Sequence, residues 1–309
     1  IDDPIRPVKA SDLGKAFRID SAAGRYIEYC KSTLKGTHNL KDKIILVDGA
    51  NGANYKITPM LLEELGAKVI RINCDPDGFN INEKSAVLNK SLFKEYAQQY
   101  EFDFCVAVDG DGDRLVLSDS KGDVSTGDEI IYTLALRNKK QNKPGSDCVI
   151  GTDMTNEGIR NALEKIGINF YRTEVGDKYI SRELVKNELN LGGESSGHII
   201  QREFSESGDA NIALIQTLAA LEELNLSLSD VKSKIDYKPQ VLESLELKDM
   251  EIIDTSEFKK NIESIQKNYS DTRISIRKSG TEAKIRIMVE SDSEKNIPII
   301  INLIKELIS

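Results

Sequence analysis

Three carboxylates stand two residues apart in "VAVDGDGDRLVLSD": Asp109, Asp111 and Asp113, with Gly110 and Gly112 between them. At neutral pH they repel one another, and glycines supply no bulk that could offset this. A positive partner is expected. Carboxylates suit a hard cation, and so few ligands suit magnesium, which keeps positions for water or phosphate. A calcium EF-hand needs glycine at loop position six and glutamate at twelve. Counted from Asp109, those positions hold Arg114 and Ser120, so that reading fails. A solvated acidic turn is the remaining alternative, since Asp-Gly turns are common.

Other stretches carry polar chemistry. "RKSGTEAKIR" (residues 277–286) offers Arg277, whose guanidinium can grip phosphate through two parallel hydrogen bonds. Ser279 and Thr281 add hydroxyls, and Gly280 lets backbone amides turn inward as an anion nest. Arg286 is a second cation at the foot of the loop. An ordinary Ser-Gly hairpin is the competing reading. "GGESSGH" (residues 192–198) sets Glu194, Ser196 and His198 among glycines, where the first two can meet sugar hydroxyls. His198 is open to a site role or a structural one. Only His38 and His198 exist, which excludes a histidine metal centre. "EVGDKYI" (residues 174–180) presents Lys178 beside Gly176; alone, it reads as a solvated lysine in a turn. "DGANGAN" (residues 48–54) lacks both G-x-G-x-x-G and the Walker lysine. It reads as a strand-to-helix turn with Asn or Asp caps.

Composition narrows the class. A net charge of −9 over 309 residues argues against bulk attraction to nucleic acid or an anionic membrane. Four cysteines, Cys30, Cys74, Cys105 and Cys148, form no C-x-x-C pair, which argues against a zinc site or a disulfide scaffold. No apolar run reaches about 18 residues, so no membrane span is expected. The expected compartment is the cytoplasm. The opening "IDDPIRPVKAS" has no methionine and reads as the middle of a protein.

These groups need elements to hold them. "FCVAV" (residues 104–108) and "LVLS" (residues 115–118) read as strands, so the aspartates occupy a tight loop at a strand end, where α/β proteins place their sites. Residues 43–73 and 147–177 share one outline: a β-branched run, a polar turn, an amphipathic helix ending at Gly66 or Gly167, and a second apolar run. Such a strand–helix–strand unit implies a right-handed crossover and a parallel sheet. A long helix is expected over residues 210–223. Residues 19–34 read as an amphipathic helix with Ile19, Ala23, Tyr26, Ile27 and Cys30 on its apolar side. After a hinge at residues 236–241, two strands around a turn precede a C-terminal helix, whose start Pro298 delays or kinks. The fold class is therefore α/β: two related βαβ-type mixed-sheet domains followed by a small α+β C-terminal domain.

Three motifs occur in one order: D-G-D-G-D-R, then G-E-x-S-G-H, then R-x-S-G-T-E. Together they closely resemble the α-D-phosphohexomutases. "LGKAFRIDSAAGRYIEYCKST", "PDGFNINEKSA" and "GGESSGH" are most similar to the bacterial branch acting on glucosamine phosphates. The resemblance implies four domains around one cleft: residues 1–22 as a remnant of the first, 23–120 with the metal loop, 121–236 with the sugar loop and 237–309 with the phosphate clamp. It implies a cytoplasmic mutase interconverting glucosamine 6-phosphate and glucosamine 1-phosphate through a phosphoserine and a bisphosphorylated sugar. Magnesium would be the metal, and glucosamine 1,6-bisphosphate or glucose 1,6-bisphosphate the activator.

By the same resemblance Asp109, Asp111 and Asp113 are metal ligands and Arg114 stabilises the transferring phosphoryl group. Lys178, Glu194, Ser196 and His198 contact the sugar phosphate. Arg277, Ser279, Gly280, Thr281 and Arg286 clamp the phosphate that is not reacting. The partner is a small phosphosugar, with no nucleic acid and no membrane; a homodimer is the candidate assembly. The T-x-S-H-N-P loop with the nucleophilic serine does not occur in this span, so these residues alone are expected to be inactive. The alternatives are a phosphomannomutase/phosphoglucomutase and a non-catalytic phosphosugar-binding module. Ser195, the variable position in G-E-x-S-G-H, leans toward glucosamine. Lys278 and Ala283 stand where the family often has prolines, and Ala210 where it commonly has glycine.

Overall fold

The computed structural model describes residues 8–17, 19, 21–36, 38–247, 249–279 and 284–308. Gly280, Thr281 and Ala283 lie outside the described residues. The first unit opens with helix α1 (Ala22–Ser32), then β1 (Ile44–Asp48), α2 (Ile57–Glu64), β2 (Lys68–Ile72), α3 (Leu92–Gln99), β3 (Phe104–Val108), β4 (Leu115–Asp119) and β5 (Val124–Ser125). Its sheet has the order β2-β1-β3-β4-β5, with β1 parallel to β2 and β3 and the later pairs antiparallel.

The second unit contains α4 (Gly127–Lys140), β6 (Cys148–Thr152), α5 (Glu157–Lys165), β7 (Asn169–Thr173), α6 (Asp177–Lys186), β8 (Leu191–Gly193), β9 (Ile199–Gln201), α7 (Ala210–Leu224) and α8 (Leu228–Ser233). Its order is β7-β6-β8-β9, with the same alternation of parallel and antiparallel pairs. The two units are thus related mixed sheets. The expected helix ends hold: Gly66 and Gly167 have φ of +97° and +71°. The Ala67 amide reaches back to the Leu62 carbonyl at 3.0 Å, closing the end of α2.

One apolar layer serves both sheets. Ile45, Val47, Val106, Val108, Leu115 and Leu117 from the first sheet and Val149, Leu191 and Ile199 from the second share a core with residues of α4 and α7. Both helices are buried on nearly every side; α7 is apolar almost all round, whereas α4 also buries Asp128, Glu129, Arg137 and Asn138. This layer brings the turns of the two sheets to one place. Helix α1 packs Ile27 and Cys30 against Leu61, Ile212 and Ile215. Ile19 does not belong to that helix and is 64% exposed, because the chain becomes helical only at Ala22.

The third unit is an antiparallel sheet, β10 (Gln240–Glu246), β12 (Lys284–Ser291) and β11 (Thr272–Lys278) in that order, backed by α9 (Ser256–Asn268) and α10 (Asn296–Leu307). Pro298 falls in the first turn of α10, where its missing N–H costs nothing. The connection from the second unit is braced. Asn156 accepts from the Lys238 amide at 3.0 Å and donates to its carbonyl at 2.9 Å. Arg273 pairs with Glu290 at 3.1 Å and donates to the carbonyls of Asp153 and Thr155, while Glu290 also accepts from the Glu157 amide at 3.1 Å.

Candidate functional site

The aspartate loop connects β3 to β4, whose strands keep it short: Val108 pairs with Leu115. Asp109 is buried, Asp111 exposed and Asp113 between the two. One carboxylate oxygen from each can be chosen so that all three lie within 4.8 Å. Asp109 Oδ1 accepts from the amides of Asp113 at 3.1 Å and Arg114 at 3.0 Å. Burial, with the charges of Asp113 and Asp111 behind it, pushes the Asp109 carboxyl up to about 6. Arg114 Nε lies 3.6 Å from Asp109 Oδ2 and 3.8 Å from Asp113 Oδ1, longer than hydrogen bonds. Asp113 Oδ1 is buried without a hydrogen-bond donor among the described residues. Three carboxylates with oxygens this close, and an orphaned buried oxygen on one of them, fit a hard divalent cation.

The loop is held from behind by residues to which the sequence assigned other roles or none. The Ala53 amide donates to the Gly110 carbonyl at 2.7 Å, and the Ala210 amide to the Gly112 carbonyl at 3.2 Å. Asn54 Nδ2 reaches the same Gly112 carbonyl at 3.4 Å; Asn211 Nδ2 donates to Asn54 Oδ1 at 3.0 Å, and Thr58 donates to Asn211 at 2.7 Å. Tyr26 donates to Asp209, which caps α7, at 2.7 Å. The expected Asn or Asp caps on α2 do not form: its cap position is Lys56, without a side-chain bond. Asp48 accepts from the Ala50 and Ala86 amides, and Asn54 braces the aspartate loop. Ala210 has a physical account here, as a fully buried first residue of α7 whose amide serves the loop.

The loop of residues 193–198, between β8 and β9, expected to meet the sugar, docks directly on the aspartate loop. Arg114 and His198 form an isolated antiparallel bridge, and the Leu115 amide donates to the Gly197 carbonyl at 3.0 Å. His198, 5% exposed, donates from Nδ1 to Asp113 Oδ2 at 3.1 Å. Burial opposes the imidazolium, but Asp113, with Glu194 and Asp177 beyond, carries its pKa above the ordinary value. The same hydrogen bond lowers that of Asp113. Glu194 accepts from the Gly176 amide and from Ser196, both at 3.0 Å.

Lys178 is on the first turn of α6 rather than in a turn, because the left-handed bend at Gly176 (φ +137°) starts the helix immediately. It is exposed, with its ammonium 4.8 Å from the Tyr179 ring centre. The Ser195 hydroxyl turns into the protein and donates to Asp128 at 2.7 Å.

At the end of β11, Arg277 faces Arg286 across the strand pair. Burial, then the charge of Arg286, lowers the Arg277 pKa, while Glu194 of the sugar loop acts in the other direction. Arg277 Nε and Ser279 Oγ are buried without hydrogen-bond partners among the described residues. Unmet donors beside two like cations fit an anion. Lys278, in the place of a family proline, binds Glu251 at 2.6 Å and Asp254 at 2.7 Å, so ion pairs tether that side of the turn.

Three elements therefore offer a cation site, a hydroxyl-binding loop and an anion clamp. "Phosphoglucomutase/phosphomannomutase, alpha/beta/alpha domain II" matches residues 24–122, "alpha/beta/alpha domain III" residues 126–236, and the family's "C-terminal domain" residues 228–298. The chain belongs to the α-D-phosphohexomutase family. Among its relatives, the phosphoglucosamine mutase of Thermodesulfovibrio yellowstonii is 42% identical, covering 95% of this chain and 66% of that protein. That of Psychromonas ingrahamii is 38% identical, covering 96% and 67%. The chain thus spans about two thirds of the length of these relatives. The fold is also that of Aspergillus fumigatus N-acetylphosphoglucosamine mutase, solved with GlcNAc-6P and magnesium: TM-score 0.73, 17% identity, 92% of this chain and 68% of that one. Among the described residues no helix is long and apolar enough to cross a membrane.

Proposed function

We propose that these residues form the metal, sugar and phosphate sites of a phosphoglucosamine mutase, interconverting glucosamine 6-phosphate and glucosamine 1-phosphate. The domains are residues 23–120, 121–236 and 237–309, and the phosphoryl carrier is a serine not among these 309 residues. The observation that carries the reading is the pair of buried donors, Arg277 Nε and Ser279 Oγ, without a hydrogen-bond partner among the described residues, on a hairpin where Arg277 faces Arg286.

Asp109, Asp111 and Asp113 would hold magnesium, which when bound neutralises phosphate charge in a reaction governed by positioning and electrostatics. Arg114 supports the transferring group from the edge of that loop. Glu194 and Ser196 hold sugar hydroxyls, and Lys178 contacts the substrate. His198 fixes Asp113 from the sugar side. Arg277, Ser279, Gly280, Thr281 and Arg286 clamp the phosphate that is not reacting. The bisphosphorylated sugar, with glucosamine 1,6-bisphosphate or glucose 1,6-bisphosphate as activator, turns between steps, so one clamp serves both orientations.

Arg277→Lys keeps the charge but loses the planar fork. Losing one charge-assisted hydrogen bond of roughly 1.5–3 kcal/mol weakens binding about tenfold or more. Calorimetric titration should show that loss for glucosamine 6-phosphate, glucosamine 1-phosphate and inorganic phosphate alike. Loss for only one sugar phosphate would sink the single clamp. A wild-type chain that binds sugar phosphates no better than inorganic phosphate would sink the function.

A further inference from the structure

Residue 195 is the variable position of the sugar loop, yet its side chain does not face where a sugar would lie. Ser195 Oγ donates to Asp128 at 2.7 Å, and the Gly127 amide approaches the Ser195 carbonyl at 3.4 Å. The start of α4 therefore sits directly under the loop. A Cβ on Gly127 would fall 1.9 Å from the Glu194 carbonyl oxygen, so only glycine permits the approach. Asp128 is 4% exposed. One buried carboxylate thus ties the loop that would hold the sugar to the start of α4.

We propose that Asp128 is a positioning residue: through Ser195 it fixes the sugar loop on the start of α4. Residue 195 then governs sugar binding without touching the sugar. The proposal rests on the assigned phosphosugar site. The flanking residues, Glu194 and Ser196, are the ones that would meet the ligand, and both lie within one residue of the anchored serine. A shift of about 1 Å in such a loop is enough to misalign both. Inorganic phosphate, which needs only the clamp, does not sense it.

The test is calorimetric titration of the 309-residue chain with glucosamine 6-phosphate and, separately, inorganic phosphate. Ser195→Ala and Asp128→Ala should each cut the preference for the sugar phosphate about tenfold, the worth of one hydrogen bond to a charged group. Phosphate affinity should stay unchanged. The double variant should lose no more than either single one, and Asp128→Asn, which keeps an acceptor, should retain most of the preference. Should Asp128→Ala not fold, Ser195→Ala and Asp128→Asn still decide the matter. A sugar preference kept by the alanine variants, additive losses, or equal weakening of both ligands would overturn the positioning role alone. A wild-type chain with no sugar preference would overturn the assigned function, and the proposal with it.

Discussion

Asp128 is ionised at a cost. Burial, then the charge of Glu129, pushes its carboxyl from the ordinary 3.8 up to about 7, against the pull of Ser195, the Asn156 amide and Lys90. The folded state therefore favours its protonated form. Its contribution to stability is full below about pH 4 and is lost as pH rises through about 7. At about 1.4 kcal/mol per pH unit, that amounts to at most roughly 4 kcal/mol. Asp128→Asn cannot ionise and should escape the loss. Urea denaturation of both proteins at pH 5 and pH 8 should show the variant gaining relative to wild type at the higher pH. A constant difference would mean another group titrates. Sequence could not have pointed to this residue: it is one more acid at the start of a helix, and only the packed fold removes its water.

At the scale of elements, the aspartate loop depends on a close backbone approach. A Cβ on Gly52 would lie 2.2 Å from the Gly110 carbonyl oxygen, and both atoms belong to backbones that cannot swing aside. Gly52→Ala should displace the loop, lower magnesium affinity at least tenfold and destabilise the fold by about 1–3 kcal/mol, the range for overpacking. Magnesium titration followed by heat, together with thermal unfolding, checks both effects. The loop itself was legible in the sequence because strand, tight turn and strand are all local. The two βαβ units were legible for the same reason, through β-branched runs and helix-ending glycines. Helix α4 was not, since its residues are buried nearly all round and leave no 3.6-residue stripe to read. The short α3 and the amphipathic α6 and α9 have no counterpart among the elements expected from sequence; the start of α6 reads as a turn because Gly176 precedes it. The braces Asn54, Asp209 and Asn211 left one faint signal, polar residues leading into otherwise apolar helices. The inward direction of Ser195 left none, because a loop residue between two glycine positions can point either way.

For the whole molecule, the C-terminal unit is the part whose placement the sequence described least. The stretch at residues 236–241 reads as a hinge, yet Arg273 and Glu290 lock the units together. Glu290 is 2% exposed and Arg273 about a quarter. Removing one partner of a buried pair costs about 3–5 kcal/mol, and the lower end applies to a half-buried arginine. Arg273→Ala should thus free the unit to melt on its own. Circular dichroism should show two denaturation steps where wild type shows one. Hydrogen exchange should then quicken first in β11 and β12. A single step, shifted as a whole, would mean that the lock carries no cooperativity.

The contact between the aspartate and sugar loops also has a meaning in time. Asp113 and His198 are 85 residues apart in the chain. Closing so long a loop is entropically slow, and such contacts are made after local ones have formed. The two sheets can each assemble before the cleft exists. Magnesium or phosphate bound there then stabilises the finished state and not the barrier that leads to it. Stopped-flow refolding should run at the same rate with or without these ions, while unfolding slows. The site would act as a bolt shot last, holding closed a structure it had no part in building.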